Sequence, residues 1–375
     1  MRNNILYSLL LLLLIAGTTR CKKAYEPPEI TTNHNFLVVN GVINANTSSQ
    51  TTISLSRTSS LTDTVTFIPE NGAQVRIESN ANDVYFLHET GNGDYKSDGL
   101  TLATSKNYRL AIRTANGEEY ASDFVPVLET PSIDSLTWKQ ETDVSIYVNT
   151  HDPANKTKYY RWDFVETWQY TSAYEALSEF INGTIRFRDT NEYVYNCWSS
   201  APSASILINS SINLAEDRID SFHVATVRRN DTKISVKYSI LVRQYALTEK
   251  AFDYWRILKI NTQDLGTLFD AQPAQLTGNI RAVGSTQKPV IGYVSASTIS
   301  EKRLFIRNSE VDWDDRAFDE CKVFFISPSD VHLYANNPAL APAYYVTGGG
   351  LAITTPECVD CRLQGGINKR PIFWQ

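Results

Sequence analysis

The chain has 375 residues, which at roughly 100–200 residues per domain suggests about two domains. Hydrophobic residues make up 42%, aromatic residues 11% and charged residues 20%, a globular balance that excludes a disordered chain. A net charge of −6 leaves no basic field to hold a phosphate backbone, which argues against nucleic-acid binding, and the one long apolar run lies at the amino terminus, which excludes a multi-pass membrane protein.

That run, Ile5 to Ala16, follows Arg2 and precedes the small residues Gly17, Thr18 and Thr19. A positive start, a short apolar core and small residues read as a secretory signal peptide over residues 1–20. The run is too short to span a bilayer comfortably. Cys21 stands where bacterial lipoproteins carry the thiol that is acylated and becomes the new amino terminus. Each buried methylene contributes about 0.8 kcal/mol, so more than one acyl chain gives firm anchoring. Arg20 departs from the pattern, since Gly, Ala or Ser is usual there; the competing reading is plain cleavage and secretion with Cys21 an ordinary thiol. Residues 21–35 are polar, contain Pro27-Pro28 and show no periodicity, as expected of a tether.

From Phe36 the pattern becomes short apolar runs alternating with period two: FLVVNGVI (36–43), TTISLSR (51–57), AQVRIES (73–79), VYFLHE (84–89), YRLAIRT (108–114) and EYASDFVPV (119–127). Turn signals separate them at Glu70-Asn71-Gly72, Gly91-Asn92-Gly93-Asp94 and Asn116-Gly117, the last being the strongest hairpin signal in the chain. Strands at this spacing predict an immunoglobulin-like β-sandwich over residues 36–128. Pro126 and Pro131 bracket the expected joint.

Residues 132–375 predict a larger β-rich domain. In KYYRWDFVETWQY, Tyr160, Trp162, Phe164, Trp168 and Tyr170 share one face, interrupted by Glu166, while Arg161, Asp163, Val165 and Thr167 share the other. Further strands are predicted at SILINSSI, FHVATVRR, TKISVKYSILVRQYAL, KPVIGYVSAS, KRLFIR and CKVFFIS. One packed helix is predicted near 248–261, capped by Thr248, with Leu247 and Phe252 at the staple positions and an apolar stripe through Ala251, Phe252, Trp255, Leu258 and Ile260.

The cysteines are at 21, 197, 321, 358 and 361. With Cys21 acylated, four remain in an exported chain, which favours two disulfides. Cys358-Val359-Asp360-Cys361 is a CxxC, but neither a thioredoxin-like βαβ context nor nearby His residues support redox or zinc chemistry. Cys197 and Cys321 are expected to pair with the two tail thiols, Cys358 and Cys361, in an order the sequence leaves open.

Catalytic signatures are missing: there is no HExxH, GxSxG or GxxxxGK[ST], and His34, His88, His151, His223 and His332 are far apart. No catalytic, metal or cofactor residue is assigned. Asp312, Asp314, Asp315, Asp319 and Glu320 lack the spacing of an EF-hand loop and read as a solvated surface segment. Trp168, Tyr170 and Tyr174 are the candidate ligand or partner surface, because the strand pattern loses regularity at Thr171-Ser172-Ala173.

The VVNGVI strand behind Cys21, the segments YSILVRQYALTEKAFDYWRILK (238–259) and LFDAQPAQLTGNI (268–280), the GYVSAS and KRLFI strands and the closing ECVDCRLQGGINKRPIFW (357–374) together resemble the uncharacterised family of Bacteroidota outer-membrane lipoproteins often encoded beside TonB-dependent receptors. The resemblance implies a Gram-negative host, an outer-membrane, cell-surface address and a TonB-dependent receptor as partner. It implies no reaction and no active site. The leading expectation is a non-catalytic accessory lipoprotein that captures or gates a nutrient at the receptor; the alternatives are a structural or assembly component of an outer-membrane complex and a surface hydrolase.

Overall fold

The computed structural model describes residues 35–47, 49–59, 67–263, 276–284, 289–313 and 320–375. The signal peptide, Cys21 and all but the last tether residue lie outside them, as do Asp314, Asp315 and Asp319. Among the described residues the protein is mainly β, with one long helix packed on its sheets. No helix among the described residues is long and apolar enough to cross a membrane.

In the first body, period-two alternation sends one set of side chains inward. Leu37, Val39 and Ile43, Ile53 and Leu55, Val75 and Ile77, and Tyr108, Leu110 and Ile112 form one core from four strands. Hydrogen bonding runs from Leu37–Asn44 through Thr52–Arg57, Asp94–Lys96, Val84–Gly91 and Gln74–Ser79 to Asn107–Arg113. The hairpin predicted at Asn116-Gly117 is present: Asn107–Arg113 pairs with Glu119–Ser122, and Gly117 adopts φ +86°.

The domain boundary differs from the sequence reading, which places everything beyond 132 in the second body. Three short strands return to the first. Ile280–Ala282 pairs with Glu119–Ser122, Val290–Ile291 with Leu37–Asn44, and Ser295–Ser297 with both Leu37–Asn44 and Val125–Leu128. Because Val125–Leu128 also pairs with Asn107–Arg113, the path closes on itself. Burial drives the return: Ile280, Val294 and Ala296 join the first core. The Asn279 side chain clamps the segment, donating to the Val294 carbonyl (2.8 Å) and accepting from its N–H (2.9 Å). Gly292 lies so close to the neighbouring strand that a Cβ there would stand 2.2 Å from the Val39 carbonyl oxygen.

The second body is a two-layer sandwich. One sheet contains Ile133–Gln140, Val144–His151 and Arg218–Val227; the other contains Asn196–Pro202, Tyr159–Thr171, Lys237–Leu247 and Ile299–Arg307, with Leu207–Ser210 on the opposite half of Tyr159–Thr171. Val144, Ile146 and Val148 meet Tyr160, Trp162, Phe164, Tyr238, Ile240 and Val242 between the layers. A polar side chain crosses this core. Gln244, fully buried, accepts from the Trp162 indole (2.8 Å) and donates to the Pro131 carbonyl (2.8 Å) and the Thr150 hydroxyl (2.9 Å). It thereby ties both sheets to the inter-body joint. The joint is itself pinned, since the Thr130 N–H donates to the Thr298 hydroxyl (2.7 Å) and Ala246 N–H to the Thr130 hydroxyl (3.0 Å).

The helix forms at Glu249–Thr262 as predicted, and the Thr248 hydroxyl accepts from Ala251 N–H. Its buried residues are Ala251 and Tyr254, so the buried stripe is narrower than expected. Phe252 packs on Tyr159 of the second body (5.0 Å between centroids) and Tyr254 on Tyr293 of the returning segment (5.4 Å). The helix therefore bridges the two bodies.

A third, smaller cluster holds the tail. A hairpin of Ser178–Ile181 and Thr184–Phe187 turns on Asn182-Gly183, both left-handed, beside a sheet of Phe324–Ile326, Leu351–Thr354 and Ala341–Tyr345. Two disulfides tie it down, Cys197–Cys361 and Cys321–Cys358, so the CxxC thiols go to different partners.

Candidate functional site

A groove of about 620 Å³ opens where the two bodies meet, within the size range of small-molecule sites. One wall belongs to the first body. Asn40 stands opposite Ser54 in the antiparallel register, so Asn40, Val42, Asn44 and Gln50, Thr52, Ser54 lie on the face turned away from the first core. This wall carries amides and hydroxyls and no formal charge.

The opposing wall is the outer face of the second body's larger sheet, the face the sequence assigns to Arg161 and Asp163. Arg161 pairs in register with Tyr245, Asp163 with Arg243, and Arg243 with Glu301. Asp163 binds Arg243 Nε closely (2.6 Å) and Arg161 Nη2 at the hydrogen-bond limit (3.5 Å). The Arg161 guanidinium lies between two aromatic rings, 4.4 Å from the centroid of Tyr245 and 4.5 Å from that of Trp255 on the helix. Such stacking fixes the plane of the cation without using its N–H donors. Burial, together with the Asp163 carboxylate, pushes the Tyr245 hydroxyl well above the ordinary phenol range and keeps it protonated. Pro202 to Leu207 and Trp255 complete the rim.

The sequence-predicted surface is placed elsewhere. Tyr170 is 3% exposed and its hydroxyl donates to the Cys361 carbonyl (3.1 Å). The Tyr174 hydroxyl donates to the Cys321 carbonyl (2.7 Å), and its ring packs near Tyr344. Trp168 is half-buried against the second core, with the Lys233 ammonium 5.3 Å from its centroid. The expected stacking platform is therefore corrected: the irregularity at Thr171-Ser172-Ala173 marks where the tail docks, and the two tyrosines hold the disulfide-bearing segments. Glu166, which interrupts the aromatic face, is buried and accepts from the Tyr238 hydroxyl and the Lys233 ammonium, both at 2.7 Å.

Among the described residues, no trio of His, Cys, Asp and Glu gathers at metal-binding distance. His151 lies against Asp134 (2.8 Å) and His223 against Thr226 (2.7 Å), both outside the groove. The groove residues were missed because each wall is legible by itself while their apposition depends on the joint. The signal available was a pair of opposite charges on the outward face of a central strand.

The model of a family described as a domain of unknown function, DUF4249, matches residues 22–303. The chain belongs to this family. Every groove-lining residue, from Asn40 to Glu301, lies within the match, while the tail that carries Cys321, Cys358 and Cys361 lies beyond it. No curated protein matches the chain. Among solved structures, a DUF4785 family protein from Legionella pneumophila is similar at 10% identity with a TM-score of 0.21, covering 56% of this chain and 52% of that one. The adhesin InvE of Yersinia pseudotuberculosis is similar at 13% identity with a TM-score of 0.15, covering 57% of each. The chain thus spans little more than half the length of either, and scores this low do not establish a shared fold.

Proposed function

We propose that the protein is a non-catalytic accessory lipoprotein of the bacterial outer membrane, anchored through Cys21 at the cell surface, which captures or gates a nutrient beside a TonB-dependent receptor. The observation that carries the binding part is the groove between the two bodies. It has a neutral polar wall facing an aromatic-clamped cation, and its carboxylate Asp163 is committed to two guanidiniums. A carboxylate so held is fixed in place between the two cations, an arrangement that suits positioning a ligand against them. The anchor is supported by the signal-peptide pattern that ends at Cys21, and the receptor by the sequence resemblance alone. Physically, tethering raises effective concentration, so that a weak binder beside a pore makes the second encounter intramolecular.

Affinity purification from the native membrane in mild detergent tests the partnership. A TonB-dependent receptor recovered in a fixed ratio is the expected result; recovery of this protein alone contradicts it. A second reading, an assembly component of an outer-membrane complex, draws on the exposed aromatics of the tail cluster. Phe187 stacks on Tyr345 with both rings largely open, and Phe324 and Phe325 are each 63% exposed. A deletion strain that keeps nutrient uptake but loses an outer-membrane complex favours this second reading.

A further inference from the structure

Arg161 carries less hydrogen bonding than its position demands. A guanidinium presents five N–H donors. Among the described residues the Arg161 side chain makes one hydrogen bond, the 3.5 Å contact with Asp163, and its Nε–H is buried with no partner. The side chain is only 13% exposed. A buried donor left unmet is unfavourable, so an under-bonded cation held rigid by two rings is poised for an acceptor. Asp163 does not supply that acceptor well, because its shorter bond goes to Arg243. An incoming anion on Arg161 therefore leaves Asp163 still paired.

The facing wall narrows the chemistry. Asn40, Gln50 and Thr52 are exposed on the groove side and can both donate and accept, as a hydroxyl-rich ligand requires. The main chain of this wall is already used, since Leu37–Asn44 is paired on one side with Thr52–Arg57 and on the other with Val290–Ile291 and Ser295–Ser297. Among the described residues this wall leaves no strand edge longer than Val39 to Gly41 for an extended peptide to join. Glu301, in register with Arg243, disfavours a second negative charge at that end.

We propose that the groove recognises one carboxylate carried on a small hydroxyl-rich solute, an acidic sugar unit, with Arg161 as the anion anchor and Asn40 and Thr52 as hydroxyl readers. This rests on the reading of the groove as a binding site and names its ligand class.

Calorimetric titration of the full mature chain, extracted in mild detergent, tests it with three probes: an aldobiouronic acid (one glucuronate on one neutral sugar), cellobiose, and the dipeptide Gly-Glu. The aldobiouronic acid binds and the other two bind at least about tenfold more weakly, as expected when a charge-assisted hydrogen bond is worth roughly 1.5–3 kcal/mol. Arg161→Lys keeps the charge, loses the planar fork and weakens binding about 10- to 100-fold. Asn40→Trp, on the other body and clear of the Arg161 network, fills the groove and abolishes binding even where Arg161→Lys fails to fold. Absence of heat with the acid, equal binding of cellobiose, tighter binding of Gly-Glu, or indifference to both substitutions overturns the assignment. The titration is independent of the receptor: failure here with the receptor still co-purifying removes the solute class alone, and loss of the receptor leaves the titration standing.

Discussion

Gln244 offers the sharpest test of how the second body is held together. Replacing it with Met keeps the volume and apolar stem and removes both the carbonyl and the amide. Three groups lose a partner: the Trp162 indole N–H, the Pro131 carbonyl and the Thr150 hydroxyl. Thr150 keeps its bond to the Ser132 carbonyl (3.1 Å), so its loss is small. Trp162 is 1% exposed, so its indole N–H would be stranded in the core. At about 1–3 kcal/mol for each stranded buried group, the expected loss is roughly 3–5 kcal/mol. All seven tryptophans lie beyond residue 132, so tryptophan fluorescence during urea unfolding follows the second body selectively. The midpoint should fall with little change in slope. Combining Gln244→Met with Trp162→Phe, which removes the indole donor, should recover about 1–2 kcal/mol relative to the sum of the single changes. A loss below about 1 kcal/mol, or strict additivity in the double variant, refutes the proposed polar tie.

Breaking Cys197–Cys361 by paired Ala substitution opens a loop spanning 164 positions, and chain entropy puts the cost near 5 kcal/mol, against about 4 kcal/mol for the 37-position Cys321–Cys358 loop; limited proteolysis should therefore cut the tail first in the former variant, and equal resistance of the two tells against this ordering. Gly292→Ala places a Cβ against the Val39 carbonyl at φ +144° and should cost roughly 2–5 kcal/mol, read as faster hydrogen exchange in Leu37–Asn44; unchanged exchange contradicts the close packing of the returning segment. Acid should destabilise both bodies. Burial opposes ionisation of Glu78 and Asp152, but Arg76 and Arg109 outweigh it at Glu78, and the N–H groups of Thr157, Lys156 and Ala154 do so at Asp152, so both titrate below their ordinary values of 4.5 and 3.8. A depressed carboxylate adds stability that is complete above its unfolded value and is lost as pH falls through the folded one, so urea midpoints should hold from neutrality to about pH 5 and drop below about pH 4, with Glu78→Gln flattening the drop. A flat profile in the parent protein contradicts these assignments.

What the sequence made legible was whatever depends on neighbours along the chain. The alternation through Tyr159–Thr171 placed Arg161 and Asp163 outward and Trp162 inward, and Thr248 marked the start of the helix. What it hid depends on partners far away. Ser295–Ser297 reads as a strand, but nothing local says that it pairs with Leu37–Asn44 rather than with its neighbours in sequence. Glu166 looked like a defect in an apolar face until Lys233 and Tyr238 came beside it. Tyr170 and Tyr174 looked available because their covering segments follow more than 140 residues later. The hairpin at Asn182-Gly183 carried a clear turn signal, yet its strands of four residues are too short for periodicity to register.

In the proposed function the two β bodies work while tethered to the envelope and hold a solute there. Intact-mass measurement of the protein recovered from its native membrane tests the tether most directly. The expected product is a chain that begins at Cys21 and carries the added mass of more than one acyl chain. An unmodified chain released into the medium contradicts it.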